Sequence, residues 1–209
     1  MTAGIELGAD GRPRCWWGVG GDPLYITYHD TEWGRPSADD RKLFEKLSLE
    51  GFMSGLSWLT VLRKRESFRK AFANFDPKKV AAFTAADEKR LMANAGIVRN
   101  RAKIAATINN ARQYTAIVDE FGSFAAYVWS FAPPARPRLI DQKTLMDIKF
   151  SPEAAALSKD MKKRGWAFVG PTTVYSFMQS MGLVNDHIKD CWVGEEVAAE
   201  LKAFKRPGR

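Results

Sequence analysis

Ala86-Asp87-Glu88-Lys89-Arg90-Leu91-Met92-Ala93-Asn94, then Ala95-Gly96-Ile97-Val98-Arg99, then an amphipathic run from Asn100 to Phe121: the fold turns on this stretch. The spacing predicts a short helix, a tight turn and a long helix, the outline of a helix-hairpin-helix. In such an element Gly96 permits the turn. The exposed N–H groups at the start of the second helix can meet a phosphate, and Arg99 and Arg101 add charge there. An ordinary helical hairpin with a glycine end-cap is the competing reading, since this turn carries a single Gly.

Working outward, the same helical period recurs. Asp39 to Phe52 follows Ser37 as a cap, Trp58 to Phe75 continues it, and further helices are predicted at Ser123 to Phe131, Ser151 to Lys163 and Pro171 to Met181, with a short last one around His187. No run alternates as a strand should, so the expected class is all-α, with room for a small strand element near Leu139 or Trp166 to Val169. Residues 1–13 are Gly-rich and without period, and are expected to be a flexible segment. Residues 14–195 are expected to form a single helical domain, two lobes being compatible with it, and 196–209 a helix end with a basic tail, Lys205-Arg-Pro-Gly-Arg209. Pro133-Pro-Ala-Arg-Pro137 reads as a surface connection.

The chain's 209 residues suffice for one full core. No segment approaches the roughly 20 apolar residues of a bilayer span, and the N-terminus carries no secretion signal, so a soluble cytoplasmic protein is expected. Lys and Arg number 32 against 24 Asp and Glu, a net charge of +8 that favours polyanions. The basic residues bunch at Arg63, Lys64, Arg65, Arg69 and Lys70, at Arg99, Arg101 and Lys103, and at Lys159, Lys162, Lys163 and Arg164. Solvated helix faces would give the same pattern, so charge alone does not decide for nucleic acid.

The chain holds two Cys and two His, and they pair near its ends: Cys15 with His29, His187 with Cys191. On a helix, His187 and Cys191 at i, i+4 would point to one side, and two N plus two S donors suit one tetrahedral zinc. Four protein ligands leave no open position, so such a zinc is structural and would tie the N-terminal segment to the C-terminal one. Taken singly, each Cys reads as a small buried hydrophobe and each His as a hydrogen-bonded residue. A disulfide is disfavoured in a reducing cytosol.

From Leu47 to Leu62 the only charged residue is Glu50. A carboxylate in so apolar a run either pairs with an internal Arg or Lys or lines a cavity where a cationic or donor-rich ligand meets it. Tyr25, Tyr28 and Trp33 flank His29, and Trp58 lies eight residues beyond Glu50. Such aromatic faces could stack on a purine and gain cation–π energy if it is charged, or could simply fill the core.

Taken together, Arg14-Cys15, Asp22-Pro-Leu-Tyr-Ile-Thr-Tyr-His-Asp-Thr-Glu-Trp-Gly34, Leu49-Glu-Gly-Phe-Met-Ser-Gly-Leu-Ser-Trp58, Ala95-Gly-Ile-Val-Arg-Asn-Arg-Ala-Lys103, Lys163-Arg-Gly-Trp-Ala-Phe-Val-Gly-Pro-Thr172 and Gly182-Leu-Val-Asn-Asp-His187 closely resemble the type I 3-methyladenine DNA glycosylases of bacteria. The resemblance implies a helix-hairpin-helix glycosylase fold, structural zinc at Cys15, His29, His187 and Cys191, and a base pocket at Tyr28, Glu50 and Trp58. It further implies that the Gly55-Leu56 turn inserts toward the gap left by an extruded nucleotide. The expected partner is double-stranded alkylated DNA, the expected product free 3-methyladenine, and the expected state a monomer. Glu50 would recognise the base edge while Trp58 and Tyr28 stack on it, with Tyr25 and Trp33 as further aromatic walls. Asp119 is not assigned a catalytic role, and no Lys nucleophile is expected, hence no strand-cleaving lyase activity. Met53 stands where relatives commonly carry Gln, which removes amide hydrogen bonds from that position. The rivals are a zinc-stabilised helix-hairpin-helix module that binds DNA without chemistry, and a cytosolic zinc enzyme with an open metal site.

Overall fold

A computed structural model describes residues 2–19, 21–136 and 138–208. Pro137 of the Pro-rich connection, Met1 and the terminal Arg209 lie outside the described residues.

Two short strands open the chain, β1 (Ile5–Leu7) and β2 (Pro13–Cys15). Helices then follow: α1 (Pro23–Thr31), α2 (Asp40–Met53), α3 (Trp58–Arg63), α4 (Arg65–Ala71), α5 (Pro77–Ala81), α6 (Ala85–Ala93), α7 (Arg101–Phe121), α8 (Phe124–Trp129), α9 (Gln142–Asp147), α10 (Pro152–Lys163), α11 (Pro171–Ser180) and α12 (Trp192–Ala203). Their starts are written in the sequence. Asp39 accepts from the backbone N–H of Arg41 and Lys42, Ser57 from Thr60, Asn100 from Lys103 and Ser151 from Ala154, each meeting a donor the helix leaves unpaired. At its other end α7 stops at Gly122, in the left-handed region that relieves the last carbonyls.

The core lies where α2 and α11, α10 and α11, and α5 and α7 pack. Phe44, Phe52, Phe68, Phe72, Phe75, Phe124 and Phe177 are fully buried there. Burying such a side chain contributes about 1.5–3 kcal/mol, so the aromatic cluster is a main source of stability. α2 is enclosed along most of its length, from Leu43 to Phe52. It thereby carries Lys46 and Glu50 into the interior.

Several expectations are corrected. The all-α reading holds for the bulk of the chain, but β1 and β2 pair antiparallel, with Ile5 opposite Cys15 and Leu7 opposite Pro13. Strands of three residues are too short to show alternation, and the hairpin is held by burial of Ile5 against Cys15, Ile188, Cys191, Val193 and Val197. Near Leu139 there is a single parallel bridge, Ile140 with Ile188, and Trp166–Val169 is not a strand. The run Trp58–Phe75 breaks into α3, α4 and a tight turn. There Ala73, Asn74 and Phe75 all take positive φ, and the reversal stacks Phe75 on Phe72 at 5.4 Å. His187 lies outside any helix: His187 to Cys191 is a turn, with Asp190 at φ 71, and Cys191 is the residue that precedes α12.

Candidate active site and metal cluster

Cys15, His29, His187 and Cys191 are all buried, and their donor atoms lie within 4.8 Å of one another. Four separate stretches deliver them: β2, the last turn of α1, the loop after α11 and the residue before α12. The Cys191 sulfur stands 3.6 Å from His29 Nε2 and 3.5 Å from His187 Nδ1, and the Cys15 sulfur 3.8 Å from His187 Nδ1. Each imidazole is oriented by its other nitrogen. His29 Nδ1 meets Asp30 Oδ1 at 2.8 Å, and His187 Nε2 meets the Trp33 carbonyl at 3.1 Å. Outer contacts of this kind fix the ring tautomer that presents a lone pair to a metal. Asp30 is in turn gripped by the buried Arg14 through bonds of 2.7 and 2.9 Å. Burial alone would raise the Asp30 pKa, but hydrogen bonds from Arg14 and His29 outweigh it and hold the carboxyl below its usual range. On the other side, Asp186, fully buried, takes Tyr175 and Gln179 on one oxygen and Arg136 on the other, which steadies the segment leading into His187.

The second site lies between α1, α2 and α3. Tyr28 and Trp58 face each other with ring centroids 5.2 Å apart, and Tyr25 stacks alongside Tyr28 at 6.4 Å. Tyr28 and Trp58, but not Tyr25, border a recess of about 250 Å³ whose walls also include Lys46, Leu49, Glu32 and Arg65. Glu50, 3% exposed, stands behind Lys46, one helical turn on: Lys46 Nζ is 2.8 Å from Glu50 Oε1 and donates to the Tyr28 hydroxyl at 2.7 Å. Of the two alternatives posed for Glu50 by the sequence, the internal ion pair is present, and Glu50 itself does not line the recess: Lys46 and Leu49 of the same helix do. Its second oxygen, Oε2, is buried without a hydrogen-bond partner among the described residues, and so is the indole Nε1 of Trp58. A buried acceptor and donor left open in this way cost energy unless a ligand meets them. Burial, and then the Glu50 charge, push the Tyr25 and Tyr28 hydroxyls up, keeping both rings neutral.

Not every residue singled out from the sequence comes to this recess. Trp33 belongs to the metal cluster: its ring packs edge-on against His187 at 4.6 Å and against Trp17 at 4.8 Å. Met53 is half-buried against the core and does not line the recess. Asp119 is exposed on α7. A larger cavity of about 1120 Å³ lies at Pro133, Arg136, Arg138, Phe150 and Arg206, but neither Tyr28, Glu50 nor Trp58 lines it. Lys46 is the functional residue the sequence reading missed. The apolar run was read from Leu47 onward, one residue too late, although Lys46 and Glu50 are spaced i, i+4 on one helix face.

Between α2 and α3, Gly55 takes φ +79 with open space around it, and Leu56 is 44% exposed, an unusual place for a large apolar side chain. This loop is braced from below. Lys103, in the first turn of α7, donates to the carbonyls of Phe52 and Ser54 at 2.8 and 2.6 Å, so its charge is spent inside the protein. The α6–α7 turn lies next to it. Gly96 does not have positive φ; a Cβ there would stand 3.0 Å from Ser67, so the glycine serves close approach to α4 rather than the turn's conformation. Arg99 and Arg101 are exposed at this turn, with no ion pair among the described residues. Arg63, Arg65 and Arg69, by contrast, are each bound to carboxylates.

A family model described as methyladenine glycosylase matches residues 16–194. DNA-3-methyladenine glycosylase 1 of Escherichia coli is 52% identical over 179 residues, which cover 85% of this chain and 95% of that protein. A crystal structure of 3-methyladenine DNA glycosylase I matches with a TM-score of 0.80 at 50% identity, over 86% of this chain and 98% of its own. Another, of a variant of 3-methyladenine DNA glycosylase I in complex with 3-methyladenine, matches with a TM-score of 0.79 at 41% identity, over 83% and 94% of the two chains. The helical scaffold and these matches define a glycosylase. The chain belongs to the methyladenine glycosylase family, among the type I DNA-3-methyladenine glycosylases.

Proposed function

We propose that this enzyme hydrolyses the N-glycosidic bond of 3-methyladenine in double-stranded alkylated DNA, taking the base into the recess between Tyr28 and Trp58. The observation that carries the reading is the pair of unmet buried atoms there, Glu50 Oε2 and Trp58 Nε1. A purine stacked on the two rings would offer its exocyclic amine to Glu50. Methylation at N3 leaves the base cationic in the nucleotide, so the carboxylate and the ring faces favour it over ordinary adenine. The nucleotide is swung out of the duplex for this, with Leu56 on the Gly55 turn entering the gap, while Arg99, Arg101 and the N–H groups near Gly96 hold the backbone in the manner of a helix-hairpin-helix.

The chemistry asks little of the protein. The bond between the sugar C1′ and the base nitrogen breaks with its electrons passing to the base, which leaves neutral. Water then adds its hydroxyl to C1′ and gives up a proton, so an abasic site remains. No lysine stands as a nucleophile in this scheme, and the enzyme is monofunctional. Glu50 acts by charge and hydrogen bonding, and Tyr28 shapes the recess with Tyr25 stacked beside it.

The Cys15, His29, His187 and Cys191 cluster suits a structural zinc. A tetrahedral zinc holds sulfur about 2.3 Å and nitrogen about 2.0 Å away, which sets S···N separations of about 3.5 Å. The three measured here run from 3.5 to 3.8 Å. All four positions are protein atoms, so the metal would lock the β-hairpin and α1 to α12 and take no part in the reaction.

The test is release of purines from alkylated DNA, with 3-methyladenine resolved from 7-methylguanine by chromatography. The parent should release 3-methyladenine, and Glu50→Gln should do so about a hundredfold less efficiently. Equal release by both would remove Glu50 from the site.

A further inference from the structure

The ammonium of Lys46 lies 3.1 Å from the centroid of the Trp58 ring, closer than a stacked purine could come while it stays there. It is also 4.9 Å from the Tyr28 ring centroid and paired with Glu50. The side chain is 8% exposed and fills the recess from the α2 side. In the free protein a cation therefore already sits on the aromatic face and on one oxygen of the carboxylate. These are the contacts that a methylated base would make.

Resting on the base-pocket reading above, we propose that Lys46 is a resident cation in the base site, mutually exclusive with the base on Trp58 and Glu50, and so a specificity-determining residue. A base enters only if its own interactions replace a cation–π contact and a buried ion pair. An uncharged purine has less with which to replace them than a cationic one. Lys46 thus sets a threshold that ordinary adenine fails to cross, and keeps Glu50 compensated between turnovers. Lys46 occupies Oε1 of Glu50 and lies over the ring of Trp58, while Oε2 and Nε1 stay buried without partners among the described residues.

Two measurements test this. In the parent protein, the Nζ resonances of Lys46 should carry the ring-current shift of a group held over an indole, and should lose it when 3,9-dimethyladenine, a cationic mimic of the methylated base in the nucleotide, is added to saturation. Persistence of that shift in the saturated complex would overturn the proposal. In Lys46→Gln, which keeps a donor for Glu50 but no charge, 3-methyladenine should bind about tenfold tighter, and KM for its release from DNA should fall by a similar factor with kcat unchanged. A folded Lys46→Gln protein with the parent's affinity or a weaker one would refute it. Glu50→Gln separates the two readings. If that variant binds 3-methyladenine as the parent does, the pocket assignment itself fails; if it loses binding while Lys46→Gln is unchanged, only the role of Lys46 fails.

Discussion

Glu50 is costly where it stands, and Lys46 answers only half of it. Replacing the carboxylate with an amide keeps the shape and removes the charge, so Glu50→Gln should lower kcat/KM for 3-methyladenine release by on the order of a hundredfold, and should also lower the melting temperature because Lys46 is left buried without its charge partner. Steady-state release assays beside a thermal melt check this, and a folded variant with the parent's kcat/KM would contradict it. Lys46 makes a prediction of its own. Burial pulls its pKa from 10.5 to about 8, with Glu50 opposing the shift. Between these values the unfolded chain binds the proton and the folded one does not, so this group makes stability rise with pH across that window. The parent should gain on Lys46→Gln by at most about 3 kcal/mol between pH 7.5 and 10 in denaturant titrations. A difference that stays flat with pH would contradict the burial of the amine.

Among the elements, the Gly55-Leu56 loop and the metal cluster are the parts whose roles separate most cleanly. Leu56→Ala should weaken binding to DNA holding an abasic analogue while leaving affinity for free 3-methyladenine intact, since Leu56 does not line the recess. Fluorescence anisotropy and calorimetry give the two numbers, and equal losses in both would place Leu56 in the pocket. Cys191→Ser removes one of the four residues proposed to hold zinc between β2, α1 and α12, and should lower the melting temperature by about 10 °C and prevent stoichiometric zinc binding. A variant that melts with the parent would remove the cluster from the account of stability. The legibility of these elements in the sequence follows from their length and capping. The helices α2, α7 and α10 were readable from their long apolar stripes, although the cap of α2 is Asp39 and not Ser37, whose hydroxyl instead accepts from the Asp39 N–H. The β-hairpin was not, because three-residue strands carry no period and its partner residues, Ile188 and Val193, lie at the far end of the chain. The pairing of His187 with Cys191 was readable from spacing. The turn that presents them was not, since it depends on Asp190 taking a left-handed backbone.

Over the whole molecule, charge is distributed less evenly than its clusters suggest. The group at Arg63, Arg65 and Arg69 is consumed by Asp22, Glu32, Glu45 and Glu66, and Arg164 by Glu120 and Asp160. Arg99 and Arg101 are exposed and make no ion pair among the described residues, and the proposed function assigns them to phosphates. Changing both to Ala should reduce the slope of log affinity for DNA against log salt by about 2, one for each phosphate no longer neutralised. An unchanged slope would move the DNA path away from the α6–α7 turn. No helix among the described residues is long and apolar enough to cross a membrane. The global site was only partly visible beforehand. Glu50 stood out as one carboxylate in an apolar run, and the resemblance singled out Tyr28 and Trp58 beside it, but Trp33 could not be sorted from them, because its side depends on how α1 ends against His187.

The most direct measurement is a crystal structure of this chain with 3-methyladenine bound. The account predicts the base stacked on Trp58 beside Tyr28, within hydrogen-bonding distance of Glu50, with the Lys46 ammonium displaced from the indole. A base seated in the cavity at Pro133–Arg206, or anywhere that leaves Trp58 and Glu50 untouched, would contradict it.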